Sequence, residues 1–314
     1  MKYGFIKVAA ASPALRVADC RYNAEKSAEM MKQAAAAGAH LLVLPELGLT
    51  GYTCGDLLLQ PTLLAGAQDA LQALLEESRA LSLTTVAGLP LAVEGKLYNC
   101  AAVLHRGQLL GIVPKLNLPN YGEFYEERWF TPAPAEVKTI SLLGQEVPFG
   151  SRLLFCCREL PEYKLAVELC EDLWVASPPS ICHAVAGATV IANCSASDET
   201  IGKAEYRRSL VTGQSARLMA GYLYADAGRG ESTTDMVFAG HDLIAENGKL
   251  LAETALFTND LILTELDVHR LFAERRRTTT WPAAETSGYT MVPFSLPMGE
   301  TALTRFIDPH PFVP

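Results

Sequence analysis

Short apolar runs alternate with segments of helical periodicity in the first part of the chain. Residues 3–10 form an apolar, β-prone opening segment, and residues 40–44 (HLLVL) form a continuous apolar run. Between them, residues 23–37 place Ala24 and Met31 on one face of a helix. A continuous apolar run of this length is typical of a strand buried on both faces. The alternation therefore predicts a layered α/β architecture.

The same alternation continues to about residue 277. We predict further helices near 71–81, 184–188 and 205–220, and further strands over 83–89, 97–105, 108–113, 163–169, 190–192 and 222–225 and near Met236, Leu250 and Leu261. From Thr278 onward the chain is rich in proline and shows little periodicity. We therefore expect one folded domain over residues 1–277 and an extended arm or connector over residues 278–314.

Composition and charge argue against several classes of partner. The chain has 314 residues, of which 49% are hydrophobic, so it can bury a substantial core. Its formal net charge of −9 argues against a broad nucleic-acid surface, which needs clustered Lys and Arg. No apolar run reaches the roughly 18–20 residues of a membrane span, and Lys7 interrupts the faintly signal-like N-terminus. We expect a cytoplasmic protein that binds neither nucleic acid nor membranes.

The eight cysteines and six histidines show no metal-ligand spacing. No CxxC pair occurs, and the cysteines are scattered through a chain much longer than a disulfide-rich secreted domain. We therefore expect no metal site, and we expect most of the thiols to be buried apolar fillers. One of them remains available as a nucleophile, and its sequence context has to identify it.

Three polar side chains directly follow predicted buried strands. Glu46 follows HLLVLP, Lys115 follows LLGIVP, and Cys170 follows KLAVEL. Active sites of α/β proteins collect at the carboxyl ends of strands, where a charged group is partly desolvated and its pKa can move. Taken singly, a cysteine after a strand is more often a core filler, and a Glu or Lys at a strand end is more often a surface or paired charge.

Together, these three side chains suit the attack of a thiolate on an amide. Glu46 can take the thiol proton of Cys170 and return it to the leaving amine. Lys115 can stabilise the thiolate and the tetrahedral intermediate, and a backbone N–H where the strand turns into the following helix can complete an oxyanion site.

The segments around these residues resemble the nitrilase superfamily of carbon–nitrogen hydrolases. The similarity lies in LLVLPELGLTGY, VPKLNLPNYGEFYEERWF and VELCEDLW, and it continues through ANCSASDETIGKAEYRRSL and ESTTDMVFAGHDLIAENG. It covers nearly the whole chain up to about Arg277. Within the superfamily, GYTCGDL, NYGEFYEERWF and CEDLW resemble the N-terminal glutaminase domains of glutamine-dependent NAD⁺ synthetases.

The resemblance implies a fold, a reaction and a catalytic set. The implied fold is a four-layer α-β-β-α sandwich, and the implied reaction is hydrolysis of L-glutamine to L-glutamate and ammonia through a γ-glutamyl thioester. Glu46 would be the general base, Lys115 the charge-stabilising lysine and Cys170 the nucleophile. Glu123 would orient Lys115. The reaction would need no cofactor.

The resemblance also implies a substrate pocket. Positions near bound glutamine in these relatives match Tyr52, Tyr121, Phe124, Glu171, Ser197 and Lys203. An acidic side chain suits the α-ammonium of glutamine, and hydroxyls and N–H groups suit its carboxylate. Lys203 stands where several relatives have Arg, and it would bind carboxylate as a point charge.

The resemblance also implies partners, because one motif of the relatives does not occur in this sequence. Full-length relatives carry a C-terminal synthetase domain that uses ATP and Mg²⁺ and has an SGGxDS loop, which does not occur here. The resemblance therefore implies ammonia supply to a separate NAD⁺ synthetase domain, residues 278–314 as the start of its connector, and a homo-oligomer. Two alternatives stay open: an amidase acting on another small amide or nitrile, and a non-catalytic interaction module.

Overall fold

A computed structural model describes residues 1–308 as two β-sheets with helices outside them. The first sheet has the strand order β14-β1-β2-β3-β4-β5-β7-β6, and the second has the order β13-β12-β11-β10-β9-β8-β15. The strands are β1 (Phe5–Ala11), β2 (Leu41–Val43), β3 (Thr84–Val93), β4 (Lys96–His105), β5 (Gln108–Pro114), β6 (Lys138–Leu142), β7 (Gln145–Phe149), β8 (Leu153–Cys157), β9 (Lys164–Leu169), β10 (Val190–Ser195), β11 (Gly221–Asp226), β12 (Leu243–Glu246), β13 (Lys249–Glu253), β14 (Leu261–Asp267) and β15 (Thr290–Phe294).

Several of the helices begin at recognisable local signals. They are α1 (Cys20–Ala36), α2 (Pro61–Ser78), α3 (Glu171–Trp174), α4 (Pro179–Val185), α5 (Lys203–Leu218) and α6 (Val268–Arg277). Asp19 caps α1 by accepting from the Tyr22 N–H, and Asp267 caps α6 in the same way. Pro61 opens α2, where its missing N–H costs no hydrogen bond.

Three separate apolar cores show that the fold has four layers. Along β1, Val8 and Ala10 face the second sheet, whereas Ala9 faces α1 and α2. Along β11, Leu223 lies between the sheets and Tyr222 faces the outer helices. Successive side chains of a strand point to opposite faces, so each strand contributes to two cores. The expected α-β-β-α sandwich is confirmed.

Several predicted elements differ from the observed ones. Helix α2 begins ten residues before the predicted start and ends before Leu81. Met236 lies in a loop, because the next strand, β12, begins only at Leu243. The predicted helix at 184–188 is α4, which ends at Val185. The elements that were not predicted are the hairpin of β6 and β7, the strands β8, β12 and β15, and the helices α3 and α6.

The residues after α6 pack back onto the sandwich. Strand β15 runs parallel to β8 and forms one edge of the second sheet. Beyond it, the Thr304 N–H and hydroxyl donate to the buried Glu265. The Arg305 guanidinium donates to the Glu265 carbonyl and to Glu246. The predicted arm over 278–314 therefore contacts both sheets as far as it is described; residues 309–314 lie outside the described residues.

Within residues 1–308, we find no helix with both the length and the apolar character needed to cross a bilayer.

Candidate active site

Cys170 lies at a sharp turn between β9 and α3. Its φ of 38° and ψ of −96° are unusual for a residue with a side chain. The Cys170 N–H stabilises the turn by donating to the Cys194 carbonyl and to Asn193 Oδ1, each at 3.0 Å. The residue is 6% exposed. The turn ends the strand abruptly, so that the thiol lies at the rim of the second sheet.

Glu46 and Lys115 lie at the ends of two strands of the first sheet and contact each other. Lys115 Nζ is 2.6 Å from Glu46 Oε1 and 2.6 Å from Glu126 Oε1. Asn99 Nδ2 donates to Glu46 Oε1 at 2.7 Å. The Glu46 N–H donates to the Ser195 carbonyl, which joins this group to the second sheet. The predicted catalytic residues are therefore brought together from two sheets.

Glu126, and not Glu123, orients Lys115. Glu126 is 1% exposed, and its carboxylate also accepts from the Tyr52 hydroxyl at 2.8 Å. Glu123 is exposed on the loop that precedes the short 3₁₀ turn Glu126–Arg128. The prediction for Glu123 was wrong because spacing along an irregular loop does not tell which of its carboxylates turns inward.

Burial and charge shift the protonation equilibria of this group. Burial, together with the charge of Glu126, raises the pKa of Glu46 to about 7 despite the nearby Lys115. Burial alone would lower the pKa of Lys115, but the two carboxylates outweigh it and hold this pKa above its usual value. Burial raises the pKa of the Cys170 thiol, and the charge of Glu46 adds to that effect. The resting thiol is therefore protonated at neutral pH.

One oxygen of Glu46 is free to act as a base. Lys115 and Asn99 both donate to Oε1, whereas Oε2 has no hydrogen-bond partner among residues 1–308. An unpaired oxygen on a buried carboxylate costs free energy, and such a cost is typically kept where the group has a function. Beside a buried thiol, this oxygen suits the acceptance of the thiol proton.

A cleft of about 460 Å³ opens in front of Cys170. Five of the six predicted substrate residues line it, as does Glu123, and those five are Tyr121, Phe124, Glu171, Ser197 and Lys203. The structure therefore brings most of the predicted pocket together around the nucleophile.

Inside the cleft, two charged groups already have protein partners. The Tyr121 hydroxyl lies 2.9 Å and 3.0 Å from the two carboxylate oxygens of Glu171. The Lys203 ammonium pairs with Asp198 and lies 5.3 Å from the centre of the Trp174 ring. These contacts hold a negative and a positive charge in fixed places on the wall of the cleft.

Tyr52 occupies a different place from the predicted one. It is 8% exposed, and its hydroxyl donates to Glu126 behind the lysine. Its ring packs edge-on against Phe238 and lines a neighbouring cleft of about 230 Å³ rather than the cleft at Cys170. Its contacts position Glu126, and no sequence pattern indicated this because residues 52 and 126 lie far apart along the chain.

Sequence reasoning missed two polar residues behind the cleft. Arg207 is fully buried on α5 and donates to the Ser197 hydroxyl, the Asp198 carbonyl and Glu199. Asn193, in the apolar run VIANCSA, accepts from the Cys170 N–H. An amide inside a buried strand needs partners, and that was the available signal for Asn193.

Among residues 1–308, no three His, Cys, Asp or Glu side chains form a group able to hold a metal ion.

Comparison with known proteins agrees with this fold. Residues 7–276 match the family model of the carbon-nitrogen hydrolases. The chain is 43% identical to the glutamine-dependent NAD(+) synthetase of Mycobacterium tuberculosis strain H37Rv, with all of the chain and 48% of that relative aligned. The chain therefore spans about half the length of this relative.

Solved structures also superpose on this fold. A glutamine-dependent NAD(+) synthetase from Cytophaga hutchinsonii superposes with a TM-score of 0.74 at 31% identity, over 83% of this chain and 43% of that one. A variant of the Nesterenkonia AN1 amidase from the nitrilase superfamily superposes with a TM-score of 0.66 at 20% identity, over 88% of this chain and 96% of that one. The second likeness concerns the fold alone.

Proposed function

The chain belongs to the carbon–nitrogen hydrolase family, and on this basis we propose that it hydrolyses L-glutamine to L-glutamate and ammonia. The observation that carries the proposal is the buried array of Glu46, Lys115 and Glu126 beside the thiol of Cys170. This array contains a base, a cation and a nucleophile in one desolvated place, as acyl transfer from an amide requires.

The first half of the reaction forms a thioester. Glu46 Oε2 accepts the thiol proton while the sulfur of Cys170 attacks the amide carbon and the carbonyl electrons move onto oxygen. Lys115 stabilises the resulting oxyanion. The Cys170 N–H is already engaged with Asn193 and Cys194, so the N–H of Glu171, which opens α3, is the backbone donor we assign to the oxyanion.

The second half releases both products. As the intermediate collapses, Glu46 returns the proton to the nitrogen, the carbon–nitrogen bond breaks and ammonia leaves. Water then attacks the γ-glutamyl thioester while Glu46 takes a proton from it. The thiolate leaves the carbon and takes that proton from Glu46, which restores the thiol and the carboxylate. No step calls for a cofactor, and a pKa of about 7 lets Glu46 both accept and return a proton at neutral pH.

Charge in the cleft supports glutamine as the substrate. Glu171 is the acidic side chain suited to the α-ammonium group, and Tyr121 fixes its orientation. Lys203 carries a positive charge suited to the α-carboxylate, although it already pairs with Asp198. A simple aliphatic amide has neither charged group and would leave both side chains without a ligand.

The relatives support a wider role for the ammonia. We propose that it supplies a separate NAD⁺ synthetase domain, which would use ATP and Mg²⁺, and that the protein acts in the cytoplasm as a homo-oligomer. The proposed supply of ammonia is supported by the full alignment of this chain with about half of the M. tuberculosis glutamine-dependent NAD(+) synthetase.

The proposal is tested by ammonia release from L-glutamine. Purified chain is compared with Cys170→Ala and with Cys182→Ala, a matched control at an exposed cysteine. We expect release by the parent and the control and none by Cys170→Ala, together with γ-glutamyl hydroxamate when hydroxylamine is added. Faster release from propionamide than from L-glutamine would favour a general amidase. If Cys170→Ala released ammonia as fast as the parent, the assignment of Cys170 as the nucleophile would be wrong.

A further inference from the structure

The register of the second sheet sets Ser195 beside the nucleophile. Cys194 pairs with Leu169 in the parallel ladder of β10 and β9, so the next residues along, Ser195 and Cys170, lie side by side where both strands end. Ser195 is fully buried. The roles given above to Glu46, Lys115 and Cys170 do not use this hydroxyl.

Ser195 and Cys170 share one hydrogen-bond acceptor. Asn193 Oδ1 lies 3.0 Å from Ser195 Oγ and 3.0 Å from the Cys170 nitrogen. The serine hydroxyl is therefore fixed relative to the backbone of the nucleophile itself. Because a hydroxyl rotates freely about its C–O bond, it can turn from one acceptor to a better one nearby.

The orientation of Asn193 is fixed from the other side. Its Nδ2 donates to the Tyr222 hydroxyl at 3.0 Å, and that hydroxyl donates to Glu168. Glu168 is 1% exposed and also accepts from the Ser180 N–H at 2.8 Å. With its NH₂ group committed to Tyr222, the asparagine has to present its oxygen to Cys170 and Ser195.

We propose that Ser195 is a further catalytic residue, which donates its hydroxyl hydrogen to the sulfur of Cys170 as the thiolate forms, with Asn193 as its positioning residue. The inference rests on the proposed function, in which Cys170 attacks as a thiolate. The thiol proton still goes to Glu46, and Ser195 keeps its own proton throughout. Only the acceptor of its hydrogen bond changes, from Asn193 Oδ1 to sulfur.

Two further features agree with this role. Burial and the charge of Glu46 raise the pKa of Cys170, whereas the nearby Ser195 hydroxyl and the Ala196 backbone act in the opposite direction. The buried Tyr224 hydroxyl borders Ser195 and has no hydrogen-bond partner among residues 1–308. An unpaired buried hydroxyl of this kind can donate to the serine oxygen once the serine hydrogen faces sulfur.

The test measures thiol reactivity, which does not depend on the substrate. Purified Ser195→Thr, Ser195→Val and Ser195→Ala chains are treated with iodoacetamide at pH 7, and alkylation of the Cys170 peptide is followed by mass spectrometry. Thr and Val have nearly the same volume and differ in the hydroxyl. Ser195→Ala removes only the hydroxyl oxygen. It can therefore still be measured if the larger Thr or Val side chain prevents folding.

We expect Val and Ala to slow alkylation of Cys170 by about ten-fold or more, because a hydrogen bond to a charged group is lost. In Ser195→Thr, the rate of Cys170 alkylation should stay within about three-fold of the parent rate. With L-glutamine, kcat should follow the same order while KM changes little. Equal rates for Thr and Val, or a parental rate for Ala, would overturn the inference. If no chain releases ammonia but the alkylation order holds, only the proposed substrate fails.

Discussion

Lys115 Nζ lies 2.6 Å from Glu126 Oε1, and solvent reaches neither side chain to any extent. Because Glu46 contacts the same ammonium group, the lysine is held between two carboxylates. A buried charge is stable only with such partners, and the position of Lys115 therefore depends on Glu126 as much as on Glu46.

We predict that Glu126→Gln lowers kcat for L-glutamine by about 100-fold and lowers the unfolding midpoint, since a partner of a buried charge is lost. Glu123→Gln is the matched control on the same loop, and it should change kcat by less than about three-fold because Glu123 does not contact Lys115. Steady-state kinetics and thermal unfolding measure both effects. A larger loss with Glu123→Gln would restore the assignment made from the sequence.

Activity should fall on the acid side of neutrality. The raised pKa of Glu46, about 7, means that the base is ionised above that pH and protonated below it. We expect kcat/KM to decrease by about ten-fold per pH unit below about pH 7. Because the folded-state pKa lies above the unfolded one, this group stabilises the fold most at low pH and loses that contribution as pH rises to about 7. A flat profile between about pH 5 and 7 would rule out Glu46 as the base.

If the cleft recognises charge, one substitution should affect a charged amide substrate and an uncharged one differently. Glu171→Gln removes the negative charge proposed for the α-ammonium group of glutamine. It should raise KM for L-glutamine by roughly 10- to 100-fold, the effect of one charge-assisted hydrogen bond. Hydrolysis of propionamide, which lacks that group, should change by less than about three-fold. An equal loss of activity with L-glutamine and propionamide would show that Glu171 contributes to the reaction itself and not to recognition of the α-ammonium group.

The residues after α6 should contribute to stability. Arg305→Met leaves Glu246 without its guanidinium partner at a site where both side chains are largely buried. We expect a loss of about 2–4 kcal/mol in the free energy of unfolding. Lys2→Met removes an exposed pair that also involves the arm, with Glu300, and should cost less than about 1 kcal/mol. Equal effects in urea denaturation would mean that the arm is not part of the folded unit.

The catalytic trio could be predicted because its signals are local. Each residue directly follows a buried strand, and continuous apolar runs such as residues 40–44 identify those strands. The layered fold followed from the same runs, together with the resemblance.

What could not be predicted depends on contacts between distant segments. Glu126 and Tyr52 meet across 74 positions of sequence, and nothing in either segment indicates that their side chains touch. The Asn193–Cys170 bond depends on the strand register, which hydrophobic patterning sets only through the whole sheet. The early start of α2 is a different case, because Pro61 was a usable N-terminal signal.

The division of the site between two sheets has a consequence for the order in which the protein matures. Glu46, Lys115 and Glu126 belong to segments of the first sheet or its loops, whereas Cys170 and Ser195 leave the ribosome later with the second sheet. A chain that ends before β9 holds the base and the lysine but lacks the Cys170 thiol. The proposed array is therefore complete only when the two sheets pack together, and we expect no thioester chemistry from a chain that lacks the second sheet.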